Sequence, residues 1–346
     1  MSEPTSTPSA PVTQYVEAPE QQSALRRFLS GSTGRNLGLI IALLLIVVAG
    51  IITRPDRMTD VETLLTIVRY ASIIGVISLG MTFVITAGGI DLSVGSVMGL
   101  ATVVGSLAAV QVLAGESTWL LLVLVPIVVG ALAGLVNGLV IAYGRVVPFM
   151  ATLAMLVAAR GLAELISNRQ TLLINDNDFK GFFRGGLLGI DPLIWIFAIV
   201  AVIAWFLLSR TTFGRRTVAL GGNYEASRLA GLKVKQHTVL LYVLAGTGAG
   251  IAAFMMMGRT GVGTSTHGTL YELDAIAAVV VGGTLLIGGR GTIVGTVLGV
   301  LIFATLSQVF TLNNLSTSVQ AIIKGVIIVI AVLLQQRFGA RGSRQT

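Results

Sequence analysis

Cysteine is absent from the 346 residues. That excludes a disulfide framework, a thiolate metal site and a cysteine nucleophile, and it says nothing of the redox compartment. Charge is scarce: Asp, Glu, Lys and Arg make up 11% of the chain, less than half the share usual in a soluble domain. A soluble globule of this length needs more charged surface, so that class is excluded. Aromatics are 6%, and there are only two histidines. His237 and His267 fall in separate expected loops on opposite faces, read as ordinary polar residues, so no metal site is expected. A P-loop is missing too. It requires Gly-Lys followed by Ser or Thr so that backbone amides and Lys cradle phosphate. None of Lys180, Lys233, Lys235 and Lys324 follows Gly or precedes Ser or Thr. No nucleophile and base stand in a constellation that would make an intramembrane enzyme, so no catalytic residue is assigned. GTGAG at 246–250 lies within an apolar run and lacks a preceding soluble strand, so it is no dinucleotide loop.

What is present is apolar. Hydrophobic residues are 54%, glycine numbers 42, and mean hydropathy is +0.89. Abundant Leu, Ile and Val exclude disorder, and no Gly-X-Y period points to collagen. The class is an all-α polytopic membrane protein. Residues 1–35, rich in Ser, Thr, Pro, Glu and Gln without an apolar run, read as a disordered tail. No cleavable signal peptide is expected before the first span, which reads as an uncleaved anchor.

A span needs about 20 apolar residues. Ten such segments are expected, at about 36–53, 64–87, 94–114, 118–143, 149–167, 191–209, 239–258, 272–288, 292–312 and 319–335. The second and eighth end in Gly-rich stretches that suit broken or re-entrant helices. An even number puts both termini on one side. In this topology 14 of the 23 basic residues face the side of the tail, 6 face the other, and Arg69, Arg160 and Lys324 lie in spans. The positive-inside rule then makes cytoplasmic the tail 1–35, the loop 210–238 and the C-terminal tail 337–346. The net charge of +8 is explained by this topology and not by nucleic acid.

There is an internal echo. GGIDLSVGSVMGL at 88–100 and GGRGTIVGTVLGV at 288–300 share Gly88, Gly89, Val94, Gly95, Val97 and Gly99 at an offset of 200. Paired broken helices in internal repeats point to a translocation site; chance in a Gly- and Val-rich chain is the other reading. Small residues four apart, at Gly130, Gly134 and Gly138 and at Gly246 and Gly250, let helix backbones approach closely in lipid. Ionisable groups in or beside spans are costly and mark either function or structural ion pairs. Arg160 and Glu164 are i, i+4 on one helix and suit a local pair. Asp274 and Lys324 enter at comparable depth and suit an inter-helix pair. Asp91 sits in the Gly-rich break. A path for a neutral polyhydroxy solute is assigned to Thr86, Asp91, Ser93, Asn137, Glu272, Asp274 and Thr284.

The longest cytoplasmic connection is 210–238, and loops this long in compact proteins usually carry a function. Tyr224–Leu232 is helix-compatible, with Asn223 as N-cap and Gly231 able to end it. Such a helix suits docking into a partner's groove; a lipid-surface helix remains open on composition alone. Glu225-Ala226-Ser227 followed by Gly231 resembles the EAA-xxx-G signature of membrane subunits of ATP-binding-cassette importers. GGIDLSVGS at 88–96, RVVPFMATLAML at 145–156, the following Arg160-Gly161-Leu162-Ala163, TFGRRTVALGGNYEASRLAGLKV at 212–234 and YELDAIAAVVVGGTLLIGGRGTIVGT at 271–296 are similar to stretches of the ribose, xylose and galactose class of sugar permeases. The resemblance covers about 36–336. Leu285 departs from the Ser usual after GGT, and Ser227 replaces the second Ala of EAA.

The resemblance implies the ABC importer permease fold in the bacterial cytoplasmic (inner) membrane and a transport subunit that is not itself an enzyme. It implies a second permease copy, as homo- or heterodimer, and a cytoplasmic ABC ATPase, commonly with two fused cassettes, which binds the ATP-Mg that this chain does not. It also implies an extracytoplasmic sugar-binding protein and a monosaccharide cargo, pentose or hexose. The ATPase-coupling residues would be Asn223, Glu225, Ala226, Ser227, Arg228 and Gly231. Other cargoes of related permeases are a branched-chain amino acid, a nucleoside or a sugar-like signal molecule. A self-sufficient secondary carrier or channel is the remaining alternative.

Overall fold

The computed structural model describes residues 32–342; most of the expected N-terminal tail lies outside them. The described residues are mostly helical, with one antiparallel pair of two-residue strands. Helix α1 (Ser32–Thr53) is followed by a short α2 (Pro55–Met58) and by α3 (Val61–Thr86). Next come α4 (Val94–Gly105), α5 (Ala108–Glu116), α6 (Leu121–Ala142) and α7 (Pro148–Ser167). A connecting segment holds β1 (Leu172–Leu173) and α8 (Asn177–Arg184), before α9 (Pro192–Arg210). Then follow α10 (Thr212–Gly222), α11 (Tyr224–Leu229) and α12 (Val234–Thr260). The chain ends with β2 (Val262–Gly263), α13 (Tyr271–Val281), α14 (Ile293–Leu312) and α15 (Thr317–Gly342).

Helix starts follow local chemistry. The Asp60 and Asp191 carboxylates accept the amides of Glu62 and Leu193 at 3.3 and 2.9 Å, satisfying donors that the first turn leaves free. Pro148 and Pro192 occupy the first helical positions, where the missing N–H costs nothing. Asn168 and Gly261 end α7 and α12 in the left-handed region.

Among the described residues seven helices are long and apolar enough to cross a membrane, and α4 with α5, bent by 57°, makes an eighth. The expected ten are not reached by this measure. Helix α13 stops after 11 residues, about 16 Å at 1.5 Å per residue, half of a hydrocarbon core of about 30 Å. The cause is the Gly282-Gly283 pair, with Gly283 at φ +91°. The apolar part of α15, Thr317–Ile330, is also short. The second expected span is not broken: α3 is one continuous helix to Thr86. The break falls instead inside the third, at Ser106 and Leu107. Residues 337–342, expected as tail, continue α15.

Helices α3 and α12 form the centre, each two-thirds buried along its apolar window. Helix α6 lies along α12, and the glycine spacing explains how closely. A Cβ on Gly130 would overlap the Gly246 carbonyl and come within 2.8 Å of the Gly250 amide. One on Gly134 would overlap the Tyr242 carbonyl, and one on Gly138 would reach 2.7 Å from the Val239 Cα. The two small-residue rows read in the sequence thus face each other, and backbone contact replaces side-chain interdigitation. Around this pair, α4 packs on α6, α7 and α12, α9 on α3, and α14 on α3 and α1. Where β1 meets β2, Leu172 pairs with Gly263 and Leu173 with Val262. Trp119 packs there on Phe179 and Phe182, and Phe179 on Phe183.

Candidate functional site

Two regions carry the polar chemistry: the glycine breaks within the bundle and the helical loop beyond α9. The loop 210–238 folds as α10, α11 and the first turn of α12. Asn223 caps α11, its Oδ1 accepting the Ala226 amide at 2.9 Å. The helix is shorter than expected, ending at Leu229, after which Gly231 turns the chain at φ +82°. The Gly231 amide donates to the Arg228 carbonyl and the Leu232 amide to that of Ser227, satisfying the orphan carbonyls of the last turn. Ser227 is buried beneath the helix, whereas Tyr224, Glu225, Arg228 and Leu229 project outward. Glu225 and Arg228 pair at 2.9 Å, and Leu229 is 80% exposed. His237, expected in a loop, lies buried in the first turn of α12, its Nε2 2.9 Å from the Thr217 hydroxyl of α10. That contact fastens α10 to the central helix.

The first break, 87–93, is organised by Asp91. Its Oδ1 accepts the Ser93 amide at 2.8 Å and the Ser93 hydroxyl at 2.6 Å, a turn in which the carboxylate stands in for a backbone carbonyl. The Asn137 amide of α6 donates to the same hydroxyl at 2.9 Å. Asp91, Ser93 and Asn137, assigned to one path from the sequence, are therefore one buried chain. Between this break and α11 lies a cavity of ≈ 800 Å³, lined by Gly88, Gly89, Arg145, Glu225, Arg228 and Lys235 among others.

The second break, 282–292, lies beside the first. The Gly289 amide donates to the Thr86 carbonyl at 2.9 Å. Thr86 is fully buried at the end of α3, and its hydroxyl returns to the Thr82 carbonyl at 2.5 Å. Thr284 is fully buried, and its hydroxyl accepts the Thr292 amide at 3.4 Å. The echoed segments meet at corresponding ends, which the offset of 200 alone did not reveal.

The remaining charges are distributed differently from the local expectation. Arg160 does not pair with Glu164. Its guanidinium reaches inward past Gly99 to the carbonyls of Ser265 and His267, the latter at 3.0 Å. Glu164 turns to Arg169 at 3.0 Å, because the left-handed end of α7 brings that residue back over the helix. Asp274 and Lys324 do meet, at 3.1 Å. Glu272 is buried against Gly95, and its Oε2 has no hydrogen-bond partner. Arg69, with no partner assigned from the sequence, holds Glu62 and Asp191 at 2.5 and 2.7 Å; the Asp191-Pro192 cap is the only local signal of it. In the loop before α13, burial first, and then the Arg160 guanidinium, hold the His267 imidazole down to about 4. Among the described residues no group of three or more His, Cys, Asp or Glu is placed to hold a metal ion.

The described residues thus offer a buried polar break and a capped helix projecting beyond the bundle. Residues 63–332 match the family described as branched-chain amino acid transport system / permease component. The chain belongs to this permease family. The permease is 39% identical to the ribose import permease of Bacillus subtilis (strain 168) over 327 residues, 94% of this chain and 100% of that one. It is 35% identical to the L-arabinose ABC transporter permease of Azospirillum brasilense over 301 residues, 86% of this chain and 87% of the other. It is 35% identical to the galactose/methyl galactoside import permease of Escherichia coli (strain K12) over 319 residues, 88% and 95%. No solved structure matches the chain.

Proposed function

We propose that the permease imports a monosaccharide, pentose or hexose, as the membrane subunit of an ABC transporter. The observation that carries this reading is α11: a capped, six-residue helix presenting an ion pair and an exposed Leu229. A helix offering an apolar knob rimmed by charge suits a groove on a partner protein. The partner is a cytoplasmic ATPase, with two fused cassettes, that binds ATP-Mg. The permease itself is not an enzyme. A second permease copy completes the path, and an extracytoplasmic binding protein delivers the sugar. Both termini lie in the cytoplasm, which the bias of basic residues supports.

The path runs along Asp91, Ser93 and Asn137, with Thr86, Glu272, Asp274 and Thr284 as further polar residues. The hydroxyls of Thr86, Ser93 and Thr284 and the amide of Asn137 suit a polyhydroxy solute, since they exchange hydrogen bonds without requiring a counter-charge. Closure of the ATPase on ATP moves α11 and switches the bundle between outward- and inward-facing states. The family description favours a second cargo, a branched-chain amino acid. The test is reconstitution with the ATPase and binding protein. Ribose, arabinose or galactose should compete for uptake and leucine should not. Glu225→Ala or Gly231→Pro should abolish uptake while the chain still inserts. Gradient-driven flux from the permease alone would overturn the reading.

A further inference from the structure

Three elements meet at one point beneath the coupling helix. Gly221 is the penultimate residue of α10, two residues before the Asn223 cap of α11. A Cβ on Gly221 would overlap the Thr86 carbonyl at the end of α3 and approach the Gly289 amide of the second break to 2.6 Å. That amide and that carbonyl are themselves hydrogen-bonded at 2.9 Å. A Cβ on Gly288 would come within 2.8 Å of the Gly221 carbonyl and 2.9 Å of the Gly88 amide in the first break. One on Gly291 would overlap the Thr86 hydroxyl. Backbone therefore touches backbone from α10 to both breaks, with no side chain between to absorb a displacement. The neighbouring Gly222 is different, because a Cβ there meets nothing within 4 Å.

We propose that the contact of Gly221 with Thr86 and Gly289 is the joint through which movement of α11 reaches both glycine breaks. Gly221 is thus a positioning residue for transport. The inference rests on the assignment of α11 as the coupling helix. Its physical basis is that packed backbones are bistable and pass on small shifts, whereas a side-chain cushion would damp them.

The experiment uses the whole transporter in proteoliposomes, with the ATPase and the binding protein. The readout is uptake of labelled D-ribose, L-arabinose or D-galactose, whichever the binding protein retains, per ATP hydrolysed and per assembled complex. Gly221→Ala should lower that ratio by about tenfold, within the usual range of inter-site coupling. Gly222→Ala should leave it at the parent value, although both changes raise helix propensity equally. An unchanged ratio in Gly221→Ala, or an equal loss in Gly222→Ala, would overturn the joint. Should Gly221→Ala fail to assemble, Gly291→Ala approaches the same point from the second break and must lower the ratio as well. Glu225→Ala in the same preparation separates the two readings. Uptake surviving Glu225→Ala sinks the coupling assignment itself; uptake lost there with the ratio intact in Gly221→Ala sinks only the joint.

Discussion

The hydroxyls of Thr82 on α3 and Thr296 on α14 are hydrogen-bonded to each other, 2.8 Å apart and fully buried. Each also lies within hydrogen-bond distance of the carbonyl four residues back, Ser78 and Thr292. A hydroxyl has one proton, so one threonine donates to its helix and accepts from the other. The bond ties the helix before the first break to the helix after the second. Thr82→Val or Thr296→Val should each cost about 1 kcal/mol, and the double Val variant less than their sum, since no polar group is then left unpaired. Thermal unfolding in detergent checks the cycle, and simple additivity would argue against the pairing.

Helix propensity and packing make opposite predictions at Gly134. Ala raises intrinsic helix stability by about 1 kcal/mol, but here its methyl overlaps the Tyr242 carbonyl. Forced separation of α6 from α12 should win, for a net loss of about 1–3 kcal/mol. Gly325→Ala, whose Cβ meets nothing within 4 Å, should be neutral or mildly stabilising. Equal melting shifts for the two variants would contradict the backbone contact.

The Asp274 and Lys324 pair is mostly shielded, at 16% and 17% side-chain exposure. Lys324→Ala leaves a carboxylate without its counter-charge, costing about 3 kcal/mol. Asp274→Asn combined with Lys324→Gln should recover part of that loss. A double-mutant cycle should return a coupling of about 1–3 kcal/mol, and a coupling near zero would mean the pair does not hold α13 to α15.

Arg160 fixes the loop before α13 through two carbonyls. Arg160→Lys keeps the charge but loses the planar fork that serves two acceptors at once. Proteolysis at residues 264–270 should accelerate in Arg160→Lys as in Arg160→Ala. Protection in both variants would show that the loop is held by other contacts.

His267 supplies a pH dependence. Unfolded, its imidazole takes up a proton near 6.5; folded, not until about 4. The unfolded state therefore binds more protons between those values, and stability falls as pH drops from 6.5 towards 4. The slope is at most about 1.4 kcal/mol per pH unit. Melting temperature measured from pH 7 to 4 should decline, and His267→Asn should flatten the decline. Identical profiles would remove His267 as the source.

How much was legible depended on the range of the interaction. The Asn223 cap and the Gly231 turn were readable because a cap is decided within four residues of chain. The facing glycine rows were readable as close-packing surfaces, though not as each other's partners. The Arg160 and Glu164 pairing misled because i, i+4 spacing states proximity along one helix, while Arg160 was drawn to carbonyls more than 100 residues away.

By itself the sequence determined the membrane class, through scarce charge and apolar runs, and the start of α11, through local capping chemistry. Only the tertiary structure decided where the helices break, which glycines touch, and that both breaks meet α10 at Gly221. The reason lies in the solvent. A helix in water shows its buried face as an apolar stripe, but lipid makes both faces apolar and erases that stripe. Partners are then chosen by close fit and by single buried hydrogen bonds, and such choices leave no period in the sequence.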